Sequence, residues 1–188
     1  MSMPTLQFSS YKGLKGTMGA FQINFNRPHF YCMKFPKLKN YEGKFIPTAW
    51  LQDHPDLTKD DLSSREGCLF VEITSAVPGK KNVYDWEQKI VMALSITDMS
   101  KVLLVLEGRK PEINILHDPN AQTETAGKVV KTMAISSPKG ISEGVIFNVS
   151  QKEADGQVRK HMVPLNQDET IALQCLVRAA VPLCLAWT

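Results

Sequence analysis

Along residues 21–26 apolar and amide side chains alternate strictly, with Phe21, Ile23 and Phe25 on one side and Gln22, Asn24 and Asn26 on the other. Successive side chains of an extended chain point to opposite faces, so this period of two predicts a strand with one buried face. Pro28 closes it, and residues 30–35 predict a second strand. Leu69, Val71 and Ile73 predict a third, ended by Pro78-Gly79. Tyr84, Trp86, Ile90 and Met92, with Asp85, Glu87 and Lys89 opposite, predict a long fourth. The period then changes. Ile96, Met99, Val102, Leu103 and Leu106 form one helical stripe, with Ser95 at the N-cap position, Asp98 three residues on, and Gly108 as the stop.

The second half repeats this order. Residues 113–117 and 128–135 predict two strands, and Val145, Phe147 and Val149 a third. Asp155-Gly156, a strong hairpin signal, joins the third to a fourth over residues 158–163. Asn166 and Glu169 have capping-box spacing and open a helix through Ile171, Leu173, Cys175, Leu176, Ala179 and Ala180, which Pro182 is expected to kink or break. Four strands and a helix, twice over, predict an α+β fold of two antiparallel four-stranded sheets, each followed by a helix. Residues 1–188 read as a single domain. Residues 37–66, with Pro47, Pro55 and an acidic run, stand outside the plan as an insertion, either an ordered flap or a disordered one.

Composition narrows the function classes. At 188 residues and 43% hydrophobic content the chain has material for one full core. It has no apolar run of the roughly 18 residues a membrane helix needs. Met1-Ser2-Met3-Pro4 does not start a secretory signal, so the expected location is intracellular, and organellar only with a leader. Cys32, Cys68, Cys175 and Cys184 lie far apart among apolar neighbours, which predicts buried, reduced thiols in a reducing compartment and no zinc site. Residues 1–47 hold seven basic residues against Glu42 alone, a net of +6; residues 48–66 hold five acidic against two basic, a net of −3. A concentrated positive segment suits phosphate binding, because each phosphate neutralised releases a counterion.

Catalysis finds no support in the motifs. His117 and Asp118 are adjacent, and neighbours in a strand point to opposite faces, while Asp118-Pro119-Asn120 is a turn sequence. No nucleophile motif, paired-carboxylate site, phosphate loop or His-x-x-x-His spacing occurs. The reading is therefore of a protein that is not an enzyme, with no cofactor and no metal.

Two stretches carry a resemblance to a known family. The first is Tyr84-Asp85-Trp86-Glu87 running into Ala93-Leu94-Ser95; the second is His117-Asp118-Pro119 followed by Ala126-Gly127-Lys128-Val129-Val130-Lys131. Together with the ending Ala180-Val181-Pro182 and Ala186-Trp187 they resemble the Whirly family of single-stranded nucleic-acid-binding proteins, related in structure to trypanosomatid guide-RNA-binding proteins. Tyr11-Lys12-Gly13-Leu14-Lys15-Gly16 is similar to the lysine–glycine motif at the start of that family's sheet, with Gly16-Thr17-Met18 where the family has a small apolar continuation. The same letters contain Gly-x-x-Gly, but a KH domain needs a helix on each side and residues 4–10 offer none.

The resemblance implies a homo-oligomer, a tetramer, that binds single-stranded DNA along sheet edges between subunits with little sequence readout, in replication, recombination, repair or transcription. The candidate binding residues are Lys12, Lys15, Arg27, Tyr31, Lys34, Phe35, Lys37, Trp50, Lys128 and Lys131. Aromatic rings interleaved with cations suit this role, because every base has a π-face to stack and a phosphate to pair. Phe21, Phe25 and Trp86 read instead as core. Two alternatives stand beside this one: an RNA-binding, annealing protein on the same fold, and a protein-interaction scaffold built on the acidic 48–66 segment.

Overall fold

The computed structural model describes residues 8–9, 19–26, 29–32, 39–42, 52–58, 61–80, 83–119, 121, 124–138 and 140–185. Its strands are β1 (Phe8–Ser9), β2 (Gly19–Asn26), β3 (His29–Cys32), β4 (Lys39–Glu42), β5 (Leu62–Arg65), β6 (Cys68–Ser75), β7 (Ile90–Leu94), β8 (Glu112–His117), β9 (Val130–Ser136), β10 (Val145–Lys152) and β11 (Val158–Leu165). Helix α1 (Ile96–Leu106) follows β7, and α2 (Gln167–Cys184) follows β11. The first sheet has the order β1-β2-β6-β7 and the second β11-β10-β9-β8, every pairing antiparallel. This is the expected α+β plan of two four-stranded sheets, each followed by a helix.

Three details differ from the sequence reading. The strand expected over residues 30–35 does not join the first sheet. As β3 it pairs with β4 on one side and β5 on the other in a separate three-stranded sheet. Strands β4 and β5 both come from the 37–66 segment, and the vacant place in the first sheet belongs to β1. The long fourth strand is broken as well. Tyr84 makes an isolated bridge to Ala76, Trp86–Gln88 form a single 3-10 turn, and only then does β7 begin. The buried Thr74 hydroxyl donates to the Asp85 carbonyl, which diverts that carbonyl from a strand ladder. Finally, Pro182 lies inside α2 and the helix continues to Cys184. Residue 182 offers no N–H to the Arg178 carbonyl, and the helix ends two residues later.

Both helices start as their sequences dictate. The Ser95 hydroxyl accepts from the Asp98 N–H while the Asp98 carboxylate accepts from the Ser95 N–H, and Asn166 and Glu169 repeat this box on α2. Each such cap stabilises a helix by about 1 kcal/mol. Helix α1 buries Met99, Val102, Val105 and Leu106, and α2 buries Thr170, Leu173, Val177, Ala180 and Cys184, a strict three-four spacing. The helices pack on each other, with Arg178 on α2 donating to Glu107 at the end of α1 at 2.8 Å.

One core joins the two sheets. Strand β11 lies against β2 and β6, and the rings of Phe21 and Phe147 meet edge to face with centroids 5.0 Å apart. Gly19 marks the closest approach: a methyl group there would come within 2.4 Å of the Thr74 carbonyl and 2.9 Å of Val163. Tyr84 and Trp86 pack on this core as expected. The thiols are less uniform than their neighbours suggest, since Cys184 is buried, Cys68 half-buried and Cys175 exposed. Burial pushes the Cys184 thiol up to about 12, with Cys68 and Glu66 adding to the shift. No helix among the described residues is long and apolar enough to cross a membrane.

Candidate nucleic-acid interface

Strand alternation gives the second sheet two different faces. Val145, Phe147 and Val149 of β10 point inward with Met133 and Ile135 of β9, so Ile146, Asn148, Ser150 and Lys152 point outward. Register then sets their neighbours. Asn148 sits opposite Ala134 on β9 and Met162 on β11; Ser150 sits opposite Thr132 and Lys160. The Thr132 and Ser150 hydroxyls are 2.6 Å apart and hydrogen-bonded. Ala134, the smallest side chain of this group, leaves room at the centre of the sheet. The result is a cleft of about 590 Å³ lined by Thr132, Ala134, Asn148, Ser150, Lys160 and Met162, and reaching Ser75 of the first sheet.

The rim of this face carries exposed apolar and basic side chains, with Glu112 and Asn114 outward on β8. Leu116 is 67% exposed and Val158 53%. Lys152 and Lys160 are exposed on this face and Lys128 is exposed in the turn before β9, and none of the three is in an ion pair among the described residues. Free ammonium groups beside exposed aliphatic and small polar side chains can meet phosphate oxygens while planar bases lie on the sheet.

Beneath the cleft the polar groups are tied down. His161, buried on β11, lies 2.8 Å from the Ser75 hydroxyl through Nδ1 and 2.7 Å from the Gln88 carbonyl through Nε2. A carbonyl only accepts, so Nε2 carries the proton and Nδ1 accepts from Ser75. This bridge pins the edge strand of the second sheet to the first. Arg159 donates to Glu153, which also accepts from Gln151 at 2.7 Å.

The candidate residues from the sequence distribute unevenly. Lys12, Lys15, Arg27, Lys34, Phe35, Lys37 and Trp50 lie outside the described residues. Tyr31 is in β3, its backbone opposite Lys39 and Ser63 in the small sheet. Lys128 is exposed in the turn before β9, and this turn is where the two parts of the second family motif meet: the Asp118 carboxylate accepts from the Gly127 N–H at 2.7 Å. Lys131 points the other way. Its ammonium is half-buried and donates to the Val91 carbonyl of the first sheet at 2.8 Å, so it ties the two sheets together. Burial lowers its pKa, Glu153 raises it and Arg159 lowers it again, with a net downward shift.

Sequence reasoning missed Thr132, Asn148, Ser150, Lys160 and Met162. The signal was present in the alternation of 145–152, where each residue opposite the core stripe is a potential ligand contact. His117 likewise pairs not with Asp118 but with Asp98 on α1, at 3.0 Å. Burial raises the Asp98 carboxyl, but hydrogen bonds from the Ser95 hydroxyl, His117 and the Ser95 N–H, with the charge of His117, outweigh it and hold the group below its ordinary value. Among the described residues no group of three His, Cys, Asp or Glu is placed to hold a metal ion.

The family description "Whirly transcription factor" fits residues 51–176, which include all of the second sheet and α1. The chain belongs to the Whirly family. It is 27% identical over 125 residues to the single-stranded DNA-binding protein WHY1, chloroplastic, of Solanum tuberosum, across 66% of this chain and 44% of that protein. It is also 27% identical over 138 residues to the single-stranded DNA-binding protein WHY2, mitochondrial, of Arabidopsis thaliana, across 71% of this chain and 56% of that protein. The chain thus spans about half the length of the curated relatives it matches. Among solved structures, WHY1 from Arabidopsis thaliana superposes with a TM-score of 0.71 at 19% identity, over 100% of this chain and 89% of that one. The plant transcriptional regulator PBF-2 superposes at 0.70 and 23% identity, over 100% and 86%. At these identities the likeness is one of fold, and the fold is the Whirly fold.

Proposed function

We propose that this chain binds single-stranded DNA, with little dependence on sequence, on the outer face of its second sheet. The observation that carries this reading is the face itself: Lys152 and Lys160 free of ion pairs among the described residues, beside exposed Leu116 and Val158 and an open polar cleft, with Lys128 exposed in the turn before β9. The names of the curated relatives support it, as does the basic excess of residues 1–47; in this proposal Lys12, Lys15, Arg27, Tyr31, Lys34, Phe35, Lys37 and Trp50 also contact the strand. The whole chain acts as one binding domain with the 37–66 segment inserted. In support, β2 precedes the family match yet sits between β1 and β6 and buries Ala20, Phe21 and Ile23 in the shared core. The protein works as a homo-oligomer, a tetramer, through α2, where Ile171 is 51% exposed beside exposed Ala172 and Cys175. It serves DNA replication, recombination, repair or transcription in an organelle, carries no cofactor and catalyses no reaction.

Fluorescence anisotropy on single strands, duplex and RNA of equal length tests this. Affinity for single-stranded DNA should fall log-linearly with salt, by about 0.7 in slope per phosphate neutralised. Replacing Lys152 and Lys160 together by Ala should make the slope shallower by roughly 1.4, whereas Lys89→Ala on the first sheet should leave it unchanged. Equal affinity for duplex, or a flat salt response, overturns the reading. Tighter binding to RNA replaces DNA with RNA as the ligand.

A further inference from the structure

The cleft holds more hydrogen-bonding capacity than phosphate contacts require. The Asn148 side chain is exposed and has no protein partner among the described residues. It therefore offers two N–H donors and one carbonyl acceptor. Lys160, also free of ion pairs among the described residues, adds an ammonium from the neighbouring strand, since Ser150 separates it from Thr132 in the register. Of the two hydroxyls bonded at 2.6 Å, one donates to the other, which leaves one proton directed elsewhere. Donors outnumber acceptors on this floor, and they stand on the two central strands and the edge strand of a rigid sheet. Met162 supplies an apolar wall opposite Asn148, and Ala134 keeps the centre open. At about 590 Å³ the cleft falls within the ordinary range for small-ligand sites, roughly 300–1,000 Å³.

From this juxtaposition we infer that the cleft between Asn148, Lys160 and Met162 is a purine subsite, which reads one base of a bound strand through N7 and the group at position 6. The inference rests on the proposed binding of single strands to this face. N7 is an acceptor present in adenine and guanine and absent from both pyrimidines. Asn148 donates to N7 and accepts from the adenine amino group, the bidentate pairing that an amide side chain makes with adenine. Guanine presents O6 and N7, two acceptors, and meets Lys160 with the Asn148 amide. The base stacks against Met162 and over Ala134, a face too small to exclude it. A pyrimidine lacks N7 and meets the amide only by turning its Watson–Crick edge into the cleft. Most of the affinity still comes from phosphates and stacking, so the subsite adds a local preference to an otherwise sequence-tolerant surface.

The experiment uses the full chain and three labelled oligonucleotides of equal length. One is all pyrimidine, one carries adenine at evenly spaced positions, and one carries 7-deazaadenine at the same positions. The 7-deaza base keeps its ring, charge and amino group and lacks only the N7 acceptor. Loss of one hydrogen bond predicts about 2- to 10-fold weaker binding of the 7-deaza strand than of the adenine strand. Asn148→Ala, a substitution at an exposed strand position, should abolish that difference with the salt slope unchanged and circular dichroism like that of the parent. If the parent binds both purine strands equally well, the purine subsite is wrong while single-strand binding stands. If Asn148→Ala keeps the difference, Asn148 is not the reader and the assignment falls. If none of the three strands binds, the proposed function falls with it.

Discussion

The two sheets share strand number, antiparallel pairing and a following helix, yet they handle lysine charge in opposite ways. On the first, Lys89 and Glu72 pair at 2.7 Å, so charge is neutralised within the sheet. On the second, Lys152, Lys160 and Asn148 face outward without protein partners among the described residues, and only the Thr132 and Ser150 hydroxyls bond to each other. A surface that binds must leave its donors available. A cation already paired in the protein has to lose that partner before it meets a phosphate, which cancels most of the gain. The difference also explains why Lys131 does not belong with Lys128. Both come from one short motif, but Lys131 is directed to the Val91 carbonyl between the sheets while Lys128 faces solvent.

The comparison holds only if the two sheets are one body, and Phe147 tests this most severely. Its ring is 1% exposed and meets Phe21 across the junction. Phe147→Ala should cost about 3–5 kcal/mol, seen as a lower denaturant midpoint with both sheets melting in one transition. Two separate transitions would divide the molecule. Gly19→Ala should cost about 1–3 kcal/mol by overpacking, because the added methyl meets the Thr74 backbone, which cannot turn aside as a side chain can. A denaturant curve that coincides with the parent's would show that the sheets have slack where they meet.

A smaller effect concerns the helix between the halves. The Asp98 carboxyl is held below its ordinary value of 3.8 in the folded protein. A group with a depressed folded value stabilises the fold above its unfolded value, and this stabilisation is lost as pH falls through the folded one. Stability should therefore decline from near pH 4 downward by this contribution. Asp98→Asn should flatten that part of the profile and cost about 1 kcal/mol at neutral pH. An unchanged acid limb would remove Asp98 from the account. The smallest effect would sharpen the contrast between the faces directly. Glu72→Gln releases Lys89 on the first sheet, and if pairing is what silences that face, the salt slope for single-stranded DNA should steepen by no more than roughly 0.7, one phosphate contact. No change would mean that position, and not pairing, sets the difference.

Local chemistry was legible in the chain. The alternation at Phe21, Ile23 and the residues opposite them, the capping boxes Ser95–Asp98 and Asn166–Glu169, and the Asp155-Gly156 turn are each specified by residues a few positions apart, and each formed as read. Backbone torsions, caps and tight turns depend on neighbours in sequence, so the sequence alone determined them, and with them the order of two strand–helix units. Tertiary structure decided what depends on partners far along the chain. It set which sheet receives β3, where the fourth strand breaks so that Asp85 can take the Thr74 hydroxyl, and which way Lys131 points. The cleft belongs to the same class. Thr132, Asn148, Ser150 and Lys160 come from three strands and become neighbours only through register, and a shift of one residue in any strand would turn its side chain to the other face.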